Sequence, residues 1–147
     1  MKMIRCAVAA IALSVAVPGA VAAQDIPMVP GEYVEVAGIE IADGHTLDYV
    51  NYLAGQYRRE LDFAVERGYI SSYEVLFNEY PRQGEPDMYL VTRYETVPNA
   101  EESMRQMRER QEYLQRNLAQ LEAESGERAT YRTVMFSQLL RKYEYAN

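Results

Sequence analysis

The chain of 147 residues holds one cysteine, one histidine, two lysines and no tryptophan. One cysteine excludes an internal disulfide, and one Cys with one His excludes every Cys/His zinc cluster. Positive charge is also in deficit. Fifteen basic side chains face 22 acidic ones, for a net charge of −7. Such a surface repels nucleic acid, which proteins hold chiefly by neutralising phosphates with Lys and Arg. Gly31, Gly38, Gly44 and Gly55 never reach the spacing of a phosphate loop. There is no Gly-x-Ser-x-Gly elbow, and Ser14, Ser71, Ser72, Ser103, Ser125 and Ser137 have a single histidine to share. Nothing singles out a catalytic pair among the acids. With 48% hydrophobic and 25% charged residues, the chain is nonetheless that of a folded domain, and its length suits one.

Residues 1–23 have the make-up of a secretory signal of bacterial type. Lys2 and Arg5 precede an apolar run, Cys6 to Val17, whose only polar member is Ser14. Pro18-Gly19 breaks the run, and Val21-Ala22-Ala23 sets small residues before Gln24. A run of this length is too short to serve as a spanning anchor, and Cys6 precedes it, unlike the acylated Cys of a lipoprotein. Cleavage is expected after Ala23. It removes 23 residues with Lys2, Arg5, Cys6 and no acid, leaving 124 residues, 13 bases, 22 acids and a net charge of −9. A thiol-free chain suits an oxidising compartment, so the periplasm or secretion is expected. No second run of spanning length follows, so no membrane insertion is expected after cleavage.

Gln24–Gly31, with Pro27 and Pro30, reads as a flexible leader. Tyr33–Ile41 is rich in β-branched residues and reads as a strand, with Gly38 marking a bulge. Leu47, Val50, Ala54, Tyr57, Leu61, Ala64 and Gly68 repeat at 3/4 spacing, which predicts a helix over about 47–67. Thr46 is its expected N-cap and Gly68 its stop. Tyr69–Tyr80 and Met88–Val97 read as two strands joined by the turn Pro81–Asp87. Asn99 and Glu102 have capping-box spacing at the start of a second helix. Met104, Met107, Leu114, Leu118 and Leu121 carry that helix to a stop at Gly126. Residues 131–138 suit either strand or helix, and a last strand is best supported from Gln138 to Tyr145. The order is βαββαβ, an α+β ferredoxin-like plan: one four-stranded antiparallel sheet with two long helices on one face. A long coiled coil is the rival, and the hairpin between the helices argues against it.

These segments carry a resemblance. Tyr33–Ile41, the Asp43-Gly44-His45 entry to a long helix, Tyr69–Leu76, and Tyr89–Glu95 before the second helix resemble the dimeric α/β-barrel superfamily. That group includes antibiotic-biosynthesis-monooxygenase-like, NIPSNAP-like and stress-responsive barrel proteins. The likeness spans about residues 32–145 and is architectural. It implies a homodimer whose two sheets pack face to face, and a cavity between each sheet and its helices or loops. Members range from cofactor-free oxygenases to haem enzymes to proteins of no known activity, so it implies fold more than function. A dimer also follows from the strand pattern. Tyr33, Ala37, Ile39 and Ile41 alternate with Val34 and Val36, and Tyr73, Val75 and Phe77 with Ile70, Leu76 and Tyr80. Both faces are therefore apolar and need cover.

His45, beside Asp43 and Asp48, is the candidate catalytic residue, as a general base or an axial haem ligand. The alternative is a solvated residue at a helix start. Asp43, His45 and Asp48 lack the pattern of a metal site, and no metal or cofactor is expected. Tyrosine is abundant, with 13 in the chain. Tyr73, Tyr89 and Tyr94 sit mid-strand and are the candidates to line a cavity for a flat apolar ligand, against plain packing at strand faces or a dimer interface. Arg93 is the candidate to hold an anionic group, or else it pairs with a cross-strand Glu. Arg58-Arg59 and Arg105, Arg108, Arg110 and Arg116 read as solvated helix surface interleaved with Glu. Two functions survive. One is a non-enzymatic homodimer that binds a small apolar or aromatic molecule, or a protein partner. The other is a cofactor-light oxygenase or isomerase using His45 or a Tyr as acid/base.

Overall fold

The computed structural model describes residues 26–146. The expected signal segment lies outside them. Strand β1 (Met28–Ile41) leads into α1 (Thr46–Tyr52), a π-helical turn (Leu53–Tyr57) and α2 (Arg58–Glu66). Then come β2 (Ser72–Phe77), β3 (Met88–Tyr94), α3 (Ala100–Leu114), α4 (Leu118–Arg128) and β4 (Arg132–Tyr145). The strands form one open antiparallel sheet in the order β2-β3-β1-β4. Order and directions are consistent with the ferredoxin-like plan.

Cross-strand register sorts the side chains. Glu35, Ala37 and Ile39 of β1 oppose Thr92, Leu90 and Met88 of β3. Those residues meet the helices: Ile39 and Met88 form the core with Tyr49 and Leu53. Burying side chains of this size is worth about 1.5–3 kcal/mol each. Val34 and Val36 turn to the other face with Val91, Tyr89, Leu76, Phe136 and Leu140. No helix of the described residues covers that face.

Several expectations need correction. The leader ends earlier than expected, because Met28, Val29 and Pro30 pair with Tyr145, Glu144 and Tyr143. Pro30 is tolerated there because β3 ends opposite Tyr33 and leaves that edge of β1 unpaired. The register does shift at Gly38, but the extra residue is Met135 of β4, between Phe136 and Val134. Residues 132–138 are strand. Thr46 is the first helical residue, and His45 precedes it as an N-cap without a side-chain hydrogen bond. The helical stripe is correct in period but not in phase. Leu47 is 69% exposed, while Tyr49 and Leu53 are buried. The π turn widens the helix by part of a residue, and from its last residue onward Tyr57, Leu61 and Ala64 face inward as expected. The second helix is two. Gln115 adopts φ 51°, a left-handed conformation that ends α3, and Asn117 with Gln120 forms a capping box that starts α4. Gly126 lies inside α4 rather than after it.

Gly38 is a glycine for reasons of space. A Cβ there would lie 2.5 Å from the Phe136 ring and 2.6 Å from Pro86 Cγ. Gly38→Ala is therefore expected to destabilise the protein by about 1–3 kcal/mol, the usual range for overpacking. Urea denaturation measures it, and an unchanged midpoint would show that Phe136 and Pro86 yield freely.

Candidate functional site

The helices do not fill the space above the sheet. A cavity of about 520 Å³ remains between β1 and β3 on one side and α2 and α3 on the other. Its floor is Glu35, Ala37, Leu90, Thr92 and Tyr94. Tyr52, Tyr57, Glu60, Leu61, Phe63 and Ala64 form one wall, and Ser103, Gln106, Met107 and Arg110 the other. The void persists because α3 is held loosely. None of its residues is buried, and Met104 and Met107 remain 52% and 42% exposed.

Two carboxylates enter the cavity under different conditions. Glu60 is 8% exposed and accepts hydrogen bonds from Arg110 and from Gln56 Nε2 at 2.9 Å. Gln56 also donates to Glu124 of α4 at 3.0 Å. Glu35 accepts from the Tyr94 hydroxyl at 2.6 Å and the Ser137 hydroxyl at 3.0 Å. Burial pushes the phenols of Tyr52, Tyr57 and Tyr94 above the ordinary tyrosine range, and for Tyr94 the Glu35 carboxylate adds to it. Burial likewise pushes the core residue Tyr49 up to about 12. Phenols so raised stay protonated near neutral pH. They can donate hydrogen bonds and present ring faces, but they make poor bases.

Tyr94 alone of the expected ligand residues lines the cavity. Tyr73 is on the same sheet face at its margin, donating to Asp62 at 2.6 Å, with its ring edge-on to Tyr57 at 6.2 Å. Tyr89 and Arg93 are on the opposite face. Tyr89 packs near Phe136, with ring centroids 6.4 Å apart. Arg93 donates to Glu74 at 2.6 Å, so it has the strand-neighbour carboxylate weighed as its alternative role. His45 is exposed at the start of α1, outside the cavity lining. Its Nδ1 lies 2.8 Å from Asp48 Oδ2, and its ring stacks on Tyr131 at 5.5 Å. Among the described residues no group of three or more His, Cys, Asp or Glu is placed to hold a metal ion. No helix among them is long and apolar enough to cross a membrane.

Reading the sequence missed Tyr52, Tyr57, Glu35, Glu60 and Arg110. The two tyrosines flank a π turn, a feature that recurs at functional sites and that no residue pattern announces. Glu35 was legible as a polar interruption on the apolar side of β1. Glu60 and Arg110 looked like helix surface. They meet only because α3 crosses α2. Searches against protein-family models, curated proteins and solved structures find no match to this chain.

Two outcomes follow. Arg110→Met leaves the Glu60 carboxylate buried with Gln56 alone and is expected to cost about 1–2 kcal/mol. Adding Glu60→Gln should restore part of that loss in denaturant titrations, and additive losses would show that the pair is not coupled. The second outcome concerns pH. A phenol with a raised folded pKa contributes stability fully present below its unfolded value near 10 and lost as pH rises toward the folded value. Stability should therefore fall above pH ~10, and for Tyr49 the fall extends to about pH 12. Tyr49→Phe should flatten the slope between pH ~10 and about 12. An equally steep slope in the variant would contradict the assignment.

Proposed function

We propose that this protein is exported and acts as a homodimer that binds a small apolar or aromatic molecule without catalysing its conversion. The cavity beneath α2 and α3 carries this reading. Its volume of about 520 Å³ suits a small organic ligand, within the ~300–1,000 Å³ usual for such pockets. Its lining supplies flat tyrosine rings, aliphatic groups from Ala37, Leu61 and Leu90, and a few convergent polar groups to fix orientation. The raised Tyr57 and Tyr94 phenols support orientation rather than proton abstraction. The only histidine lies outside the lining. The signal-like N-terminus supports a periplasmic or secreted location. The uncovered face, with Val34, Val36, Leu76, Tyr89 and Leu140, supports a dimer in which two sheets pack against each other as in the barrels this sequence resembles.

Native mass spectrometry of the protein recovered from a bacterial periplasm tests this reading. The expected species is two copies of the 124-residue chain that begins at Gln24 after cleavage, with a retained small molecule as added mass. Leu140, 49% exposed on the uncovered face, should be dispensable for the monomer fold but not for pairing. Leu140→Glu is expected to shift the population toward monomer, raising the dimer dissociation constant roughly ten-fold or more over the wild type, because a carboxylate would be buried unpaired. His45→Ala should leave both dimer and added mass unchanged. A bare monomer from the wild type would contradict the reading.

A further inference from the structure

The two cavity carboxylates differ in one respect. Glu60 has a guanidinium, that of Arg110. Glu35 has hydroxyl partners only, from Tyr94 and Ser137, and among the described residues it forms no ion pair. The nearest cation by register is Arg141, on the strand beside it and diagonal to Glu35. Arg141 is engaged elsewhere. Its guanidinium lies 4.7 Å from the centre of the Tyr33 ring, and its Nε donates to the Gly31 carbonyl at 3.4 Å. A half-buried carboxylate is stabilised by hydroxyls but not neutralised by them. Each Glu35 oxygen also keeps acceptor capacity beyond its one hydrogen bond. Tyr57 and Tyr94 line the same cavity as this carboxylate. Aromatic faces next to an unneutralised carboxylate attract a cation and reject an anion.

Resting on the reading of this cavity as a binding site, we propose that it takes an organic cation, an ammonium group carried on an aromatic or apolar body, with the charge at Glu35 between Tyr57 and Tyr94. The apolar body would lie along Ala37, Leu61 and Leu90. At the other end the Arg110 guanidinium and the Glu60 carboxylate neutralise each other, so only the Glu35 end offers the ammonium a counter-charge, and this orients the ligand. The acidic surface of the whole chain draws cations toward the site and disfavours the carboxylate analogues of the same body.

The test uses an isosteric pair. Phenyltrimethylammonium and tert-butylbenzene differ by one charge at nearly constant shape, and the quaternary group does not titrate. Heteronuclear NMR titration of the purified protein, with tyrosine ring carbons labelled, reads both affinity and location. The expected result is binding of the cation at least about ten-fold tighter than the neutral isostere, with shifts at Tyr57 and Tyr94. Glu35→Gln, which keeps shape and hydrogen bonding, should remove most of that preference while leaving binding of the neutral body. Tyr94→Phe keeps the ring, frees one carboxylate oxygen and should retain the preference; circular dichroism confirms that both variants fold. Equal binding of the two probes would overturn the cation assignment and leave the cavity reading intact. A preference that survives Glu35→Gln would overturn the role of Glu35. Binding of neither probe would overturn the assignment together with the cavity reading beneath it.

Discussion

From Tyr33 to Ile39, β1 is hydrogen-bonded along both edges, to β3 on one side and β4 on the other, and its alternation there divides the molecule into two faces. Everything else depends on that division. Glu35, Ala37 and Ile39 go to the helical side, where Ile39 anchors the core and Glu35 enters the cavity. Val34, Val36 and Gly38 go to the uncovered side, where Phe136 and Pro86 close over the glycine. A one-residue slip in this strand would exchange the faces, burying Val34 under the helices and exposing Glu35. The loop from Pro81 to Asp87 holds the frame in place. Asp87 receives the Ile41 amide on its side chain and donates its own amide to Ile39.

The cavity results from unequal packing of the helices on this frame. Tyr49 of α1 and Leu53 at the start of the π turn press into the sheet beside Ile39 and Met88. The π turn then swings the chain so that Tyr57 and Leu61 look across open space rather than into a neighbour. α3 reaches back over that space through the Tyr113 ring stacked on Phe63 of α2, through Arg110 to Glu60, and through the cluster of Arg105, Glu102, Glu109 and Tyr69 at its outer side. The exposed ion pairs of that outer cluster contribute little each, so α3 is held more weakly than α1. A weakly held wall above a rigid floor is what a site that admits a small molecule needs.

The sequence carried the element order, the hairpin and the α+β class because each rests on local chemistry. Asp43-Gly44, Pro81–Asp87 and Asn99 punctuate the chain, and β-branched residues mark β1 and β3. Three features were not legible. The π turn has no residue signature, and it rotated the inward stripe so that Tyr49 and Leu53, not Leu47, reach the core. The break between α3 and α4 was written in Asn117 and Gln120, but an apolar repeat continuing through Leu114 and Leu118 overrode it. The pairing of Glu60 with Arg110 depends on a helix crossing between residues 50 positions apart. Of the expected site residues, Tyr94 reached the cavity. Tyr89 and Arg93 are its strand neighbours at one residue's displacement or more, and alternation sends them to the other face. Mid-strand position alone could not distinguish the two sides.

The central claim is that the space between Tyr57, Tyr94 and Glu35 is a binding site rather than a packing defect. A crystal structure of the protein isolated without denaturation from a bacterial periplasm tests it most directly. The account predicts continuous density for a small molecule against the Tyr57 and Tyr94 rings, with its polar end toward Glu35. A cavity that holds only water, or one closed by α3 settling onto Leu61 and Leu90, would contradict it.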